Sequence, residues 1–387
     1  MRMIKKLEYL WRHHIVYPIL RRIFRNAEEN IPIDIQSIKS ILILRYDRIG
    51  DMIVTTPIFK GLKDANPHLR IGVFASKANA EIIQNNHTVD AIYILSTSWW
   101  QMWKEIKCAR KEQYDVVLNL VFNRTTSGGV LANLVAPDGI KLGQGDIKYR
   151  FYFNILLKLT RQSNHMVETL ASIIHMAFNV HLNPDQLTYD IVNDSKTKEV
   201  IHAYWTKHNL QPRLPSGNKG LPYIVFNLSA NDSVRRISAE QALLLGEYLS
   251  SNMSFQTLLL HAPKDSIMLK TKQRLIEKTR CLPFPEHGTA SLLEIAAIIK
   301  GATAVITPDT SIVHFASAAK TPIIGFYTSM QDVHEWLPFQ VKHKIVLSDK
   351  NQATSSIPFQ DMKKALQEFI SSLQLKNLNI LQSRDEI

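Results

Sequence analysis

The stretch that decides the fold reads Thr307-Pro308-Asp309-Thr310-Ser311-Ile312-Val313-His314-Phe315-Ala316. It follows the apolar residues Val305 and Ile306, which are typical of a strand, and the small residues from Ser311 to Ala319 predict a helix. The first amides of a helix have no acceptor within it, so such a corner between strand and helix can bind a phosphate-bearing ligand. Asp and Thr are also common N-caps, and an ordinary cap is the alternative interpretation of Asp309 and Thr310.

A second segment, closer to the N-terminus, has the same design. The apolar run Ile41-Leu42-Ile43-Leu44 predicts a strand, and Arg45-Tyr46-Asp47-Arg48-Ile49-Gly50-Asp51 follows it. Gly50 allows a tight turn there, and Pro57 suits the first turn of a helix but not a helix interior. Asp51 is therefore expected to project from the carboxyl edge of a sheet, where open α/β folds bind ligands.

Similar apolar runs recur along the chain and alternate with helical stretches, which predicts parallel sheets built from βαβ units. These runs are Ile71 to Phe74, Ala91 to Leu95, Val116 to Leu120, Ile224 to Leu228, Thr257 to Leu260, Ala304 to Ile306 and Ile323 to Phe326. At 387 residues, of which 45% are hydrophobic, the chain can bury two cores of ordinary size. We therefore expect an α/β protein with two domains.

The two domains are expected to join between Asn183 and Pro222, where proline and glycine cluster and the apolar periodicity lapses. The predicted organisation is an N-terminal extension at 1–37, a first domain at 38–183, a linker region at 184–221, a second domain at 222–375 and a tail at 376–387.

The two polar segments resemble the motifs of a known family. Arg45-Tyr46-Asp47-Arg48-Ile49-Gly50-Asp51 with Thr56-Pro57, and then Thr307-Pro308-Asp309-Thr310 with His314, are similar to those of the ADP-heptose:lipopolysaccharide heptosyltransferases, glycosyltransferase family 9. The resemblance extends from about Ile38 to about Leu373. It implies a GT-B fold, in which two Rossmann-like domains with parallel sheets face a central cleft. The first domain would bind the acceptor and the second the nucleotide sugar.

Composition narrows the class of protein. Only two cysteines are present, so the fold does not depend on disulfides and a reducing compartment is expected. No apolar run reaches about 18 residues, and the N-terminus lacks the apolar core and cleavage site of a signal peptide. The net charge of +12 is accompanied by no zinc-finger, RNA-binding or basic-zipper motif, so nucleic acid is not expected as a partner.

The first 26 residues carry half of that charge, because they contain seven basic residues and one acidic residue, Glu8. The basic residues are Arg2, Lys5, Lys6, Arg12, Arg21, Arg22 and Arg25. The apolar residues at helical spacing are Ile4, Leu7, Leu10 and Trp11, continued by Leu20, Ile23 and Phe24. A basic amphipathic segment suits the surface of an anionic membrane. The alternative is a helix that packs on the domain and shows its charges to water.

Glycosyl transfer requires a base for the acceptor hydroxyl and neutralisation of the departing phosphates. By resemblance Asp51 is the base, because the family's catalytic aspartate follows the glycine of this motif. Asp47 is the local competitor, and we expect it to pair with Arg45 or Arg48. The alternative for Asp51 is a turn or helix-capping residue.

The predicted phosphate ligands lie in the loop 229–236, which follows the predicted strand at Ile224 to Leu228. In the family this loop carries a Lys or Arg that contacts the donor phosphates, usually followed closely by Trp-Pro, which Ile237-Ser238 replace here. Arg235 is the first choice and Arg236 lies beside it, because a guanidinium binds phosphate oxygens through a fixed fork. The alternative is an exposed basic pair.

Three further side chains and two backbone amides complete the predicted donor site by resemblance. Asp309 would meet sugar hydroxyls, and the amides of Thr310 and Ser311 would meet the phosphates. Asp265 resembles the family's acidic ribose contact. His314 either lines the site or is an ordinary buried helix histidine.

Lys104, Lys107 and Arg110 are predicted to bind an anionic acceptor. They follow three tryptophans within residues 99–103 on a predicted helix, and aromatic side chains beside cations suit an anionic sugar. The family places basic acceptor contacts in a comparable region of its first domain. The alternative is a solvated amphipathic helix with its tryptophans in the core.

The sequence has no DxD, HExxH or CxxC motif and no complete GxGxxG or Walker A loop, which disfavours dehydrogenases and kinases and predicts neither metal nor cofactor. The predicted function is inverting transfer of heptose from ADP-heptose to a hydroxyl of a lipopolysaccharide core sugar. The predicted location is the cytoplasmic face of the inner membrane, where the anionic lipopolysaccharide precursor resides. The alternatives are a family member with another donor, one that glycosylates a capsular glycan or a protein, and a non-catalytic scaffold that binds sugar nucleotides.

Overall fold

The computed structural model of the chain describes eight stretches of residues. They are 11–24, 26–122, 125–159, 164–213, 220–252, 255–328, 334–349 and 352–382. The chain divides into two compact units: the first unit comprises residues 1–161 and 166–190, and the second unit comprises 162–165 and 191–387. Each unit is built around its own parallel sheet.

The described part of the first unit forms a sheet of six strands. These are β1 (Ser40–Arg45), β2 (Arg70–Ser76), β3 (Ala91–Leu95), β4 (Val116–Asn119), β5 (Ile140–Gln144) and β6 (Ile155–Leu157). All neighbouring strands are parallel, and their order is β3-β2-β1-β4-β5-β6. β1 is buried along its whole length, as expected of a central strand covered by helices on both faces.

Helices connect these strands and cover the sheet. Those described in the first unit are α1 (Tyr17–Ile23), α2 (Ile49–Ala65), α3 (Trp99–Lys111), α4 (Thr125–Val135) and α5 (Met166–Phe178), with 3₁₀ turns at Ala80–Ile83, Ile147–Tyr152 and Pro184–Gln186. One core cluster joins Leu42 and Leu44 of β1 to Ile106 of α3 and Leu131 of α4. These two helices therefore cover the same face of the sheet.

The sheet of the second unit has seven strands in the part of the chain that the structure describes. They are β7 (Leu210–Gln211), β8 (Leu221–Asn227), β9 (Gln256–Leu260), β10 (Leu282–Pro283), β11 (Ala304–Pro308), β12 (Ile323–Tyr327) and β13 (His343–Leu347). Their order is β10-β9-β8-β11-β12-β13, with β7 beside the start of β8. The strand order therefore reverses between β8 and β11.

The described helices of the second unit pack around this sheet. They are α6 (Ser195–Lys207), α7 (Ala239–Asn252), α8 (Ser266–Lys278), α9 (Leu292–Gly301), α10 (Ser311–Ala318) and α11 (Phe359–Gln382), with a 3₁₀ turn at Thr354–Ser356. α6 lies within the predicted linker region and buries Ile201 and Tyr204. Each apolar run predicted as a strand overlaps an observed parallel strand, and only Leu120 and Leu228 lie one residue beyond β4 and β8. The α/β prediction is therefore confirmed.

The start of α2 differs from the sequence-based expectation. Pro57 was expected in a first helical turn, but α2 begins at Ile49 and Pro57 lies in its interior. A proline at this position cannot donate to the carbonyl of Ile53, four residues earlier. The hydroxyl of Thr56 donates to that carbonyl instead, at 2.7 Å, so the carbonyl is satisfied and the helix continues.

The N-terminal extension is described only from residue 11, without residue 25. The predicted positions Arg2, Ile4, Lys5, Lys6, Leu7, Glu8, Leu10 and Arg25 lie outside the described residues. A π-helical turn at Arg12–Val16 leads into α1. Among the described helices, none combines the length and the apolar composition that a membrane-spanning segment needs.

Candidate functional site

One candidate site lies in the first unit, at the carboxyl end of β1, around a fully buried guanidinium. Arg45 donates from Nη1 to Asp47 Oδ2 at 3.1 Å and from Nη2 to Asp51 Oδ1 at 3.3 Å. Its Nε donates to Thr55 Oγ1 at 2.9 Å, and Nη1 also donates to the carbonyl of Leu120. One buried cation therefore holds two carboxylates, and the predicted pairing of Asp47 with Arg45 is confirmed.

Asp51 lies in the first turn of α2, where a carboxylate interacts favourably with the helix dipole. Its backbone carbonyl accepts hydrogen bonds from Arg45 Nε at 3.0 Å and from Thr55 Oγ1 at 2.7 Å. The side chain is largely buried, and its Oδ1 is engaged by Arg45. The ion pair fixes the orientation of the carboxylate and leaves Oδ2 to meet another group.

Asn79 and Thr55 support this arrangement and were not predicted as site residues. The amide of Asn79, which is fully buried, donates to the carbonyl of Arg45 at 3.0 Å and accepts from the amide of Ser76 at 2.8 Å. It therefore ties the end of β2 to the end of β1. The sequence gives little indication of either residue. Asn79 is a polar residue near the end of a strand, and Thr55 lies one helical turn beyond Asp51. Polar residues at such positions are common in any α/β protein.

A second candidate site lies in the second unit, at the carboxyl ends of β8 and β11. The strand order reverses between these neighbours, and ligands of open α/β sheets bind outside such a switch point. Asn227, the last residue of β8, donates from Nδ2 to Thr307 Oγ1 at 2.9 Å and to Thr310 Oγ1 at 3.3 Å. Asn227 was missed, because only the pairing of two strands 80 residues apart reveals its neighbours.

Arg235 and Asp309, predicted to bind phosphate and sugar, contact each other in this site of the second unit. Arg235 Nη1 lies 3.2 Å from Asp309 Oδ2, and both side chains keep part of their surface exposed. Arg236 donates to the carbonyl of Ala230 at 3.2 Å and so helps to close its own loop. Of the two arginines, Arg235 is the one held by Asp309 of the predicted donor site.

Thr310 is the N-cap of α10, since its Oγ1 accepts from the amide of Ile312 at 3.3 Å. The capping alternative is thus correct for Thr310. Capping does not use the amides of Thr310 and Ser311, for which the described residues supply no acceptor. Both amides lie at the start of a helix and can bind an anion there.

Asp265 caps another helix and approaches the predicted phosphate loop. Its Oδ1 accepts from the amide of Met268 at the start of α8, at 3.2 Å. Its buried Oδ2 accepts no hydrogen bond from the described residues and lies 3.5 Å from Nε of Arg236. A ribose contact for Asp265 stays a prediction.

His314 is a buried ring on α10. Burial lowers its pKa to about 3, with a smaller contribution from the charge of His165, so the ring is neutral at neutral pH. It packs edge-on against Trp336, with ring centroids 5.6 Å apart. His314 therefore brings no positive charge to a phosphate.

Lys104, Lys107 and Arg110 are exposed on α3, which packs against β3 and α4. The alternative interpretation, with the tryptophans of this helix in the core, is correct for Trp103, which packs against the core cluster. It is wrong for Trp99 and Trp100, whose exposed fractions are 58% and 82%. Cations and exposed aromatic side chains thus lie together on this helix, and binding of an anionic acceptor there stays a prediction.

Comparisons with known proteins identify the family of the chain. The model of glycosyltransferase family 9 (heptosyltransferase) matches residues 99–366. The chain is 25% identical over 314 residues to lipopolysaccharide heptosyltransferase 3 of Escherichia coli K12, covering 76% of this chain and 83% of that protein.

Two solved structures share the fold. The crystal structure of a glycosyltransferase family 9 protein from Veillonella parvula superposes with a TM-score of 0.73 at 18% identity, covering 88% of this chain and 99% of that one. The structure of ADP-heptose lipopolysaccharide heptosyltransferase II from Escherichia coli gives a TM-score of 0.68 at 17% identity, covering 87% and 99%.

Proposed function

Because this chain belongs to glycosyltransferase family 9 and has the GT-B fold, we propose that it transfers heptose from ADP-heptose, with inversion, to a hydroxyl of a lipopolysaccharide core sugar. The observation that carries the proposal is the carboxylate of Asp51, held by buried Arg45 at the carboxyl end of β1. ADP-heptose is the donor named for a solved protein of the same fold. A lipopolysaccharide acceptor is suggested by the name of the relative from Escherichia coli.

Asp51 is proposed as the base that takes the proton of the acceptor hydroxyl. The oxygen attacks the anomeric carbon of the donor from the side opposite the diphosphate. The bond between the anomeric carbon and the diphosphate oxygen breaks as the new glycosidic bond forms. The configuration at the anomeric carbon therefore inverts. The proton moves to Oδ2 of Asp51, while Arg45 keeps Oδ1 in place. Positioned acid–base catalysis of this kind contributes roughly 10²–10⁴-fold in rate.

Arg235, Asp309 and the amides of Thr310 and Ser311 are proposed to bind the donor. Without a ligand, Arg235 and Asp309 neutralise each other across 3.2 Å. A diphosphate offers Arg235 two charged oxygens in place of one carboxylate oxygen, and releases Asp309 to accept hydrogen bonds from sugar hydroxyls. The guanidinium and the helix amides would then stabilise the charge of the departing ADP. Arg236, Asp265 and His314 are proposed to complete the walls of the donor site.

The acceptor is proposed to be an anionic lipopolysaccharide precursor, bound in part by Lys104, Lys107 and Arg110. Such precursors carry phosphates and sugar carboxylates, which exposed cations can meet on α3. Since the precursor is a glycolipid, we place the reaction at the cytoplasmic face of the inner membrane.

The substitution Asp51→Asn tests the proposal, because it keeps the size and one hydrogen-bond acceptor of the side chain but removes the base. We expect transfer from ADP-heptose to purified core acceptor to fall by roughly 10²–10⁴-fold, with the KM for the donor little changed. Asp64→Asn is the matched control, since Asp64 lies on the same helix but is exposed and pairs with the exposed Lys60.

Near wild-type transfer by Asp51→Asn would refute the assignment of the base. A wild-type protein that binds ADP-heptose but transfers to no acceptor would support the scaffold alternative instead. Transfer from another nucleotide sugar, or to a capsular glycan or a protein, would keep the base and change the substrates.

A further inference from the structure

A buried lysine on α8 has no role in the function proposed so far. Lys272 is only 5% exposed, and burial lowers its pKa to about 8, so the amine still carries its proton at neutral pH. Taking a charge out of water is costly unless hydrogen bonds compensate for it. The contacts of this ammonium therefore show what the charge holds in place.

Three acceptors surround the ammonium of Lys272. Its Nζ donates to the carbonyl oxygens of Phe284 and Pro285 and to Nδ1 of His261, each at 3.4 Å. An ammonium has three N–H donors, so each donor has one acceptor. Lys272 thus joins a ring that follows β9 to a loop that follows β10.

The same loop is held from its other side by α6. The hydroxyl of Tyr204 donates to the carbonyl of Pro283 at 2.7 Å. The carboxylate of Glu286 accepts from Lys207 at 2.6 Å and also contacts the ring of His208. Side chains from two helices therefore fix four consecutive residues of the loop, at 283–286.

This loop lies at the edge of the sheet where the donor site is proposed. β10 is the neighbour of β9, β9 is the neighbour of β8, and all three are parallel. Because neighbouring strands are about 4.8 Å apart, the end of β10 lies about 10 Å from the end of β8. A nucleoside attached to a diphosphate at β8 and β11 can span that distance.

Asp265 indicates on which side of the diphosphate the nucleoside lies. Its buried Oδ2 accepts no hydrogen bond from the described residues, and such an acceptor is expected to meet a donor from outside, such as a ribose hydroxyl. Burial lowers the pKa of His261, and the charge of Lys272 lowers it further whereas that of Asp265 raises it. The ring of His261 therefore lies close to both charged groups.

We propose that Lys272 is a positioning residue of the donor site, which fixes His261 and the loop 284–286 in the arrangement that meets the nucleoside of the nucleotide sugar. The ammonium is too deeply buried to be the main contact of the ligand, so it acts through the groups that it holds. A site that is ordered before binding loses less conformational entropy when the ligand arrives. The inference rests on the proposed function, which assigns Asp265 to the wall of the donor site.

Binding of ADP and of inorganic pyrophosphate to the full chain, measured by calorimetry, tests the proposal. We expect Lys272→Met to raise the Kd for ADP roughly tenfold, because charge-assisted hydrogen bonds that shape the site are lost. The Kd for pyrophosphate should not change, since that ligand has no nucleoside. Arg235→Gln should weaken the binding of both ligands.

Lys270→Met is the matched control, because Lys270 lies on the same helix but is exposed. It should bind both ligands as the wild type does. Lys272→Gln is a second variant in case the methionine disturbs folding, since its amide keeps two N–H donors and should weaken ADP binding less.

Hydrogen exchange tests the positioning role without any nucleotide. In the ligand-free protein, the amides of residues 286–289 should exchange faster in Lys272→Met than in the wild type or in Lys270→Met. In the transfer reaction, the KM for ADP-heptose should rise with kcat little changed, as expected when binding and not the chemical step is impaired.

Three outcomes would overturn the inference. These are equal affinity of Lys272→Met and wild type for ADP, an equal loss of affinity for pyrophosphate, and unchanged hydrogen exchange of the loop. In each of these cases a wild type that binds ADP and transfers heptose leaves the proposed function intact. A wild type that binds ADP but transfers to no acceptor would refute the proposed function and leave the role of Lys272 in nucleotide binding.

Discussion

At the scale of single residues, the candidate site depends on which charges are satisfied within the protein and which remain available. Arg45 is fully buried, and its donors are taken by two carboxylates, a hydroxyl and backbone carbonyls, so its role is to position Asp51. Arg235 pairs with the carboxylate of Asp309 and keeps a partly exposed guanidinium. The first arginine is therefore structural, and the second can exchange its partner for a phosphate.

The exchange proposed for Arg235 predicts a defined kinetic effect. Arg235→Gln removes a charged donor from the diphosphate, and such hydrogen bonds contribute about 1.5–3 kcal/mol. We expect the KM for ADP-heptose to rise roughly tenfold to a hundredfold, measured from initial rates. Arg274→Gln, an exposed arginine on α8, is the control, and an unchanged KM in Arg235→Gln would exclude Arg235 as a phosphate ligand.

The lowered pKa of His314 leads us to expect that the free energy of unfolding decreases as the pH falls. Its pKa is lowered to about 3 in the folded protein, against about 6.5 in an unfolded chain, so the unfolded state binds the extra proton between these values. Its contribution to stability is fully present above pH 6.5 and is lost as the pH falls toward 3, by up to about 1.4 kcal/mol per pH unit.

Urea unfolding of wild type and His314→Gln between pH 7 and pH 5 measures this contribution. The free energy of unfolding should fall less steeply with decreasing pH in the variant. Parallel slopes for the two proteins would show that His314 does not take up the proton.

At the scale of elements, the strands followed from the sequence more readily than the helix boundaries. β1 and β11 are short runs rich in β-branched residues, and both are buried along their whole length. A short, continuous apolar run of this kind predicts a buried central strand. Five of the described strands were not predicted, namely β5, β6, β7, β10 and β13. In β5, Lys141 and Gly143 interrupt the apolar pattern. The structure buries Lys141, whose Nζ donates to the carbonyl of Pro137 at 2.8 Å, and burial lowers its pKa.

The start of α2 could not be predicted either. Proline disfavours a helix interior, and the compensating hydrogen bond from Thr56 to Ile53 depends on a side-chain rotamer that the sequence does not specify. The same hydroxyl accepts from the amide of Asp190, at 2.9 Å. One side chain thus satisfies two backbone groups that would otherwise be left without partners.

The variant Thr56→Val measures how much these two hydrogen bonds contribute to stability. The variant keeps the shape of the side chain but leaves the Ile53 carbonyl and the Asp190 amide without their partner, and we expect a loss of about 1–3 kcal/mol in the free energy of unfolding. Adding Pro57→Ala should recover part of the loss, because alanine, unlike proline, has a backbone N–H that can donate to the carbonyl of Ile53. Equal stability of Thr56→Val and wild type would contradict this account.

At the scale of the whole molecule, the alternation of apolar runs with helical stretches predicted parallel sheets. The motifs at the carboxyl ends of β1 and β11 predicted the family, and the family implied two such units. The sequence predicted candidate residues in both units and the pairing of Asp47 with Arg45, but not the contacts of Asn79 and Asn227. Asn79 and Asn227 each form hydrogen bonds to the end of a neighbouring strand, and those strands become neighbours only in the folded sheet. Periodicity also cannot tell Ile23, which is exposed, from Phe24, which packs against Tyr152.

The most direct test of the central claim is mass spectrometry of lipopolysaccharide from a strain that lacks this protein, complemented with wild type or with Asp51→Asn. We predict that the core loses one heptose in the deletion strain, regains it with wild type, and does not regain it with Asp51→Asn. A core of unchanged mass in the deletion strain would contradict the assignment to lipopolysaccharide, and full restoration by Asp51→Asn would contradict the proposed base.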